Sequence, residues 1–152
     1  EHCDMQDLVG TVLQQFSSRL SEHPIHLEIP DGLPEIRCDS MLIAQVLTNL
    51  LENACKFSRA GDPIIIGMSK LDESMELYVR DQGIGLPDED LQKVFLKFYR
   101  SPQHKNVSGT GLGLSICKGI VEIHGGWIKV ERNPDSGLTF RFSLPLNLAI
   151  NE

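Results

Sequence analysis

In VLTNLLENACKFS, residues 46–58, two asparagines and a lysine share one side of a helix. Asn49, Asn53 and Lys56 fall at i, i+4 and i+7, positions that project from the same face. Asparagine is a mediocre helix former because its amide competes for nearby backbone groups, and a merely solvated face is better made from Glu, Lys or Gln. An amide oxygen suits a hard cation such as magnesium, which takes oxygen ligands and keeps several waters. A lysine one turn further supplies a point charge for phosphate. The same residues could also form an ordinary exposed face, and this helix alone does not separate the two readings.

Two further segments bear on the choice. DQGIG, residues 81–85, interrupts a strand-like run. Its glycines let the backbone turn tightly and approach a ligand, and the Asp81 carboxylate can accept a hydrogen bond from an exocyclic amine such as that of adenine. A plain turn would read the same way. GTGLGLS, residues 109–115, carries Gly109, Gly111 and Gly113 straight into a helix whose first amides lack partners, an arrangement that attracts phosphates. A flexible hinge is the alternative. Neither a GxxxxGK[ST] loop nor a dinucleotide GxGxxG fingerprint in a βαβ unit occurs. An amine acceptor, a phosphate cradle and a magnesium-binding amide in one chain point to a nucleoside triphosphate and its metal.

Such side chains need a scaffold. Residues 4–20 read as an amphipathic helix capped by Asp4, with Leu8, Val12, Phe16 and Leu20 as its stripe. HPIHLEIP alternates as a strand, and after the turn PDGLP a second short strand, EIRCD, faces back on it. Asp39 caps the long helix, whose apolar stripe is Ile43, Leu47, Leu50, Leu51, Ala54 and Phe57. PIIIGMSKL and MELYVRD form a hairpin, and DEDLQKVFLKF a helix capped by Asp88. SPQHKNVSGTG is a polar loop, LGLSICKGIVEIH a helix ending at Gly125 and Gly126, and WIKVERN with LTFRFSLP a last hairpin. The order predicts a two-layer α/β sandwich, helices stacked on one face of a mixed sheet.

Composition narrows the class. With 152 residues, 41% of them hydrophobic, the chain fits one domain, residues 1–152. A formal net charge of -7 argues against nucleic-acid binding, which draws its affinity from basic patches. Cys3, Cys38, Cys55 and Cys117 lack metal-ligand spacing and suit reduced thiols. No apolar run reaches the roughly 20 residues that span a bilayer. The start, EHCDMQDLV, lacks an initiator methionine and a signal peptide, so a soluble piece of a longer protein is expected.

NLLENACKF, DQGIGLP, VFLKFYR and GTGLGLSICKGIVEIHGG resemble, in order and spacing, the N, G1, F and G2 boxes of the ATP-binding domain of two-component sensor histidine kinases, with its GHKL (Bergerat) fold. The resemblance covers essentially the whole chain, and HPIHLEIPDGLPEIRCD with the helix that follows is most similar to the potassium-responsive KdpD-type kinases. It implies that Asn53 coordinates magnesium, that Asn49 helps build the polar site and that Lys56 contacts phosphate. Arg100 would reach the terminal phosphate, and with Asn49 and Lys56 it makes up the implied catalytic set. Asp81 would bind the adenine amine, with Gly83 and Gly85 shaping the base pocket. Phe95 and Phe98 would anchor a lid, and Gly109, Thr110, Gly111, Leu112 and Gly113 would close it over the phosphates. SGLTF departs from the pattern, since many relatives carry a further glycine before the threonine, so Thr139 is not carried over as a base contact.

The implied activity is transfer of the γ-phosphate of Mg-ATP to a histidine on a separate dimerisation domain, and from there to a response regulator. A nucleotide-sensing module without phosphotransfer is the alternative. The resemblance also implies a monomeric isolated domain on the cytoplasmic side of a membrane-anchored sensor. His2, His23, His26, His104 and His124 lack the context of a phosphoacceptor and read as surface or packing residues. Trp127 reads as core. Glu52, beside the asparagine face, invites a general-base role. In related ATPases such as gyrase and Hsp90, however, the water-activating glutamate occupies the position of Asn49, so slow hydrolysis is expected here.

Overall fold

The computed structural model describes residues 1–17, 19–91, 93–97, 99 and 113–146. Among these the elements run β1 (His2–Cys3), α1 (Met5–Gln15), a 3-10 helix (Arg19–Glu22), β2 (Ile25–Glu28), β3 (Ile36–Arg37), α2 (Ser40–Phe57), β4 (Ile64–Leu71), β5 (Ser74–Arg80), α3 (Asp88–Leu91), α4 (Gly113–Ile123), β6 (Ile128–Arg132) and β7 (Leu138–Pro145). One five-stranded sheet has the order β2-β4-β5-β7-β6. Only β2 and β4 run parallel, because α2 lies between them in the chain and carries the crossover that a parallel pair requires.

Alternation decides which side of the sheet meets the helices. Ile66, Val79 and Phe140 stand side by side across β4, β5 and β7, as do Met68, Leu77 and Phe142, and all six are buried. They share one core with Val9 and Val12 of α1, Leu47 and Leu51 of α2 and Val121 of α4. Burying each such aliphatic or aromatic side chain contributes about 1.5–3 kcal/mol, which fixes the helix layer on this face. The chain is thus the expected helix-on-mixed-sheet sandwich.

Four local expectations are corrected. EIRCD does not fold back on HPIHLEIP: β3 pairs antiparallel with β1 in a separate two-stranded sheet, His2 opposite Arg37 and Cys3 opposite Ile36. The first helix stops at Gln15 and buries Met5, Val9 and Val12, with Phe16 as its C-cap, rather than continuing to residue 20. The helix expected over residues 88–98 is only α3, and Asp88 sits inside its first turn, where it pairs with Arg132 Nε at 2.9 Å instead of capping. Trp127 is half-buried outside the core, with the Lys129 ammonium 4.3 Å from its ring centre.

The long helix begins as expected. Asp39 Oδ1 accepts from the backbone N–H of Met41 at 3.0 Å and of Leu42 at 3.1 Å, satisfying two amides that the helix leaves unpaired. Asp39→Ala is expected to lower unfolding free energy by about 1 kcal/mol, the usual worth of a cap. Urea denaturation measures this, and an unchanged midpoint would show that packing alone holds the start of α2.

Candidate functional site

On α2 the buried stripe is Ile43, Val46, Leu47, Leu50, Leu51 and Ala54, which leaves Asn49 and Asn53 half-buried and Lys56 exposed on another side. Helix α4 runs antiparallel to α2, and three bonds set the register. Asn49 Nδ2 donates to Gly113 O at 3.2 Å, Cys117 Sγ to Val46 O at 3.8 Å, and the Asp39 backbone N–H to His124 Nε2 at 3.1 Å. Burial pushes the Cys117 thiol up to about 12, so it remains a protonated donor. His124 Nδ1 lies 2.9 Å from Ile120 O, which fixes the proton on Nδ1 and leaves Nε2 as the acceptor. This histidine has a packing role, as expected, and a defined one.

The other end of the site is built where β5 stops. Asp81 is 6% exposed, and its Oδ1 accepts from the backbone N–H of Gly83 at 2.9 Å and of Leu138 at 3.2 Å. Burial pushes its carboxyl above the ordinary carboxylate range, and the two amides pull it partly back. With Oδ1 taken, no described residue hydrogen-bonds Oδ2. Gly83 passes against the last residue of α2: a Cβ there would collide with the Phe57 carbonyl. Gly85, at φ 72°, turns the loop onward.

These contacts order the site along one helix. Asn49 meets Gly113 at the start of α4, Phe57 meets Gly83 in the loop after β5, and Asn53 stands one turn from each, about 6 Å along the axis. These contacts thus join Asn49 to Gly113 and Asp81 and Gly83 to the end of α2, with Asn53 and Lys56 on the helix that links the two ends. Phe95 sits edge-on to Phe140 with ring centres 6.2 Å apart, tying its segment to the core. Phe98, Arg100, Gly109, Thr110, Gly111 and Leu112 lie outside the described residues.

Thr139 lies on a different face. Leu138 and Phe140 turn into the core, so Thr139 points to the opposite side of the sheet, where its Oγ1 donates to Asn133 Oδ1 and accepts from Arg80 Nε at 3.2 Å. Gly137 and Asn133, which the sequence reading passed over, both contact Asp81: a Cβ on Gly137 would strike the Asp81 carbonyl, and Asn133 Nδ2 donates to that carbonyl at 2.8 Å. Gly137, in SGLTF, carried a signal, since a glycine entering a strand often marks close backbone approach. Asn133 ended the strand-like run WIKVERN and carried no signal of its own.

Comparison with known proteins agrees with this fold. Residues 38–148 match the model of the family described as histidine kinase-, DNA gyrase B- and HSP90-like ATPase. The chain belongs to this family. Its relatives within this family include sensor kinases. The chain is 41% identical to the sensor protein KdpD of Escherichia coli (strain K12) over 149 residues, which is 98% of this chain but only 17% of that protein. Among solved structures, the mycobacterial sensor histidine kinase MprB superposes with a TM-score of 0.86 at 30% identity, covering 95% of this chain and 96% of that one. Full-length ShkA in complex with AMPPNP gives 0.84 at 27% identity, covering 95% of this chain and 30% of that one. The helix-on-sheet fold described above is thus that of histidine kinase ATPase domains. Among the described residues no helix is long and apolar enough to cross a membrane, and no cluster of three or more His, Cys, Asp or Glu could hold a metal ion.

Proposed function

We propose that residues 1–152 are the catalytic and ATP-binding domain of a longer, KdpD-like sensor kinase, which binds Mg-ATP and presents its γ-phosphate to a histidine on a separate dimerisation domain. The observation that carries this reading is the placement of Asn53 on α2, one turn from the Asn49–Gly113 contact and one turn from the loop that holds Asp81. Asp81 accepts the adenine amine through Oδ2, Gly83 and Gly85 admit the base, and the first amides of α4 at Gly113 face the phosphates. Asn53 offers its amide oxygen to magnesium, and Lys56 supplies charge to the phosphate chain. When bound, the metal neutralises phosphate charge. Phe98, Arg100, Gly109, Thr110, Gly111 and Leu112 complete the nucleotide contacts, with Arg100 on the terminal phosphate.

The residues at the site bind and orient rather than activate water. Asn49 is an amide engaged with Gly113 O, and an amide is no general base, which favours storing ATP for a protein acceptor over hydrolysing it. That the related ShkA structure was obtained with AMPPNP supports nucleotide binding. The acceptor histidine, the response regulator that follows and a cytoplasmic position beneath a membrane anchor belong to the longer protein.

The test is transfer of labelled γ-phosphate. This chain alone should bind ATP and remain unlabelled. Mixed with the dimerisation domain of the same kinase it should label that domain weakly, and tethering the two should raise the rate through effective concentration. No transfer to a folded, matched acceptor despite tight Mg-ATP binding would assign the domain to nucleotide sensing instead.

A further inference from the structure

The turn between β6 and β7, residues 133–137, backs directly onto the end of β5. Asn133 Nδ2 donates to Asp81 O at 2.8 Å and to Ser136 O at 2.9 Å, while its Oδ1 accepts from Thr139 Oγ1. Ser136 Oγ donates to Gln82 O at 3.3 Å, and the Asn133 backbone N–H donates to Gly137 O at 3.0 Å. One residue beyond the turn, the Leu138 N–H is one of the two donors on Asp81 Oδ1. A single side chain therefore grips the main chain of Asp81 while the strand it leads into grips the carboxylate. To close its own turn Asn133 would need only the bond to Ser136. The bond to Asp81 joins residues 52 apart in the chain.

We infer that Asn133 is a positioning residue that sets base specificity: by holding the Asp81 carbonyl and the 133–137 turn in register, it aims Oδ2 at the exocyclic amine of adenine. This rests on Asp81 being the base acceptor. Hydrogen bonds weaken steeply when misaligned, so the discrimination depends on how firmly the carboxylate is aimed. Both polar atoms of the Asn133 side chain are bonded to the protein, so it acts through Asp81 rather than on the base. Supporting contacts of this kind separate a working site from one that is present but loose.

The experiment compares ATP with inosine triphosphate, which carries an oxygen where adenine has its amine. Calorimetry on the whole chain should show that Asn133→Ala weakens ATP binding about 3- to 10-fold, within the range for coupled neighbours, with inosine triphosphate affected little. In an Asp81→Asn background the same change should cost almost nothing more. Asn133→Asp keeps the size and the acceptor for Thr139 but replaces the Nδ2 donor, and it should show the same loss even if the alanine variant does not fold. Folded variants with the wild-type preference for ATP, while Asp81→Asn abolishes that preference, would overturn the role of Asn133 alone. If Asp81→Asn also leaves the preference intact, both this inference and the assignment of Asp81 fall.

Discussion

Asp81→Asn is expected to weaken ATP binding by about 10- to 100-fold, the worth of a hydrogen bond to a charged acceptor, while raising the melting temperature of the nucleotide-free protein at neutral pH. The amide oxygen can keep accepting from Gly83 and Leu138, which turns the new NH2 donor toward the adenine amine, donor against donor. The gain in stability follows from burial. Because the folded protein raises this carboxyl above its ordinary value of 3.8, the folded state binds the proton more tightly than the unfolded chain. The wild type is then most stabilised by this group below that value, loses the contribution as pH rises through the raised one, and stays disfavoured at neutral pH. A neutral amide has no such dependence. The melting difference between variant and wild type should therefore vanish below pH 3.8 and widen toward neutrality, provided both remain folded. Thermal melts across pH and calorimetry with ATP and GTP make the measurement, with GTP poor in both forms. Wild-type ATP affinity in the variant would mean that another group holds the base.

Asn53→Ala should remove the magnesium-dependent part of ATP binding and reduce phosphate transfer to the dimerisation domain to background. The fold should survive, because the buried stripe of α2 does not include Asn53 and alanine is the better helix former. Asn49→Ala differs: it deletes the tie to Gly113 and loosens α4, so magnesium dependence should persist at reduced affinity. Calorimetry with and without magnesium distinguishes the two variants. An Asn53→Ala protein with unchanged magnesium dependence would show that the metal is held elsewhere.

Much of the scaffold was legible in the sequence. Asn49, Asn53 and Lys56 share a face because helical period is a local property, and the buried residues of β4, β5 and β7 follow from period-two alternation. Asp39 as a cap and Gly125 and Gly126 as a stop are equally local. Faces and caps depend on neighbours within a few residues, so the chain itself determined them. Partners were another matter. EIRCD alternates equally well beside β1 or β2, and only the tertiary structure decided for β1. Asn133 shows the same limit at the site: its type suits a turn, and only packing brings it to Asp81, 52 residues away. Thr139, which the departure in SGLTF already set apart, faces the opposite side of the sheet, because Leu138 and Phe140 claim the core side of β7. Local geometry sets which way a side chain points along its own element; what it meets there depends on how distant elements pack, a global property that no short stretch of sequence contains.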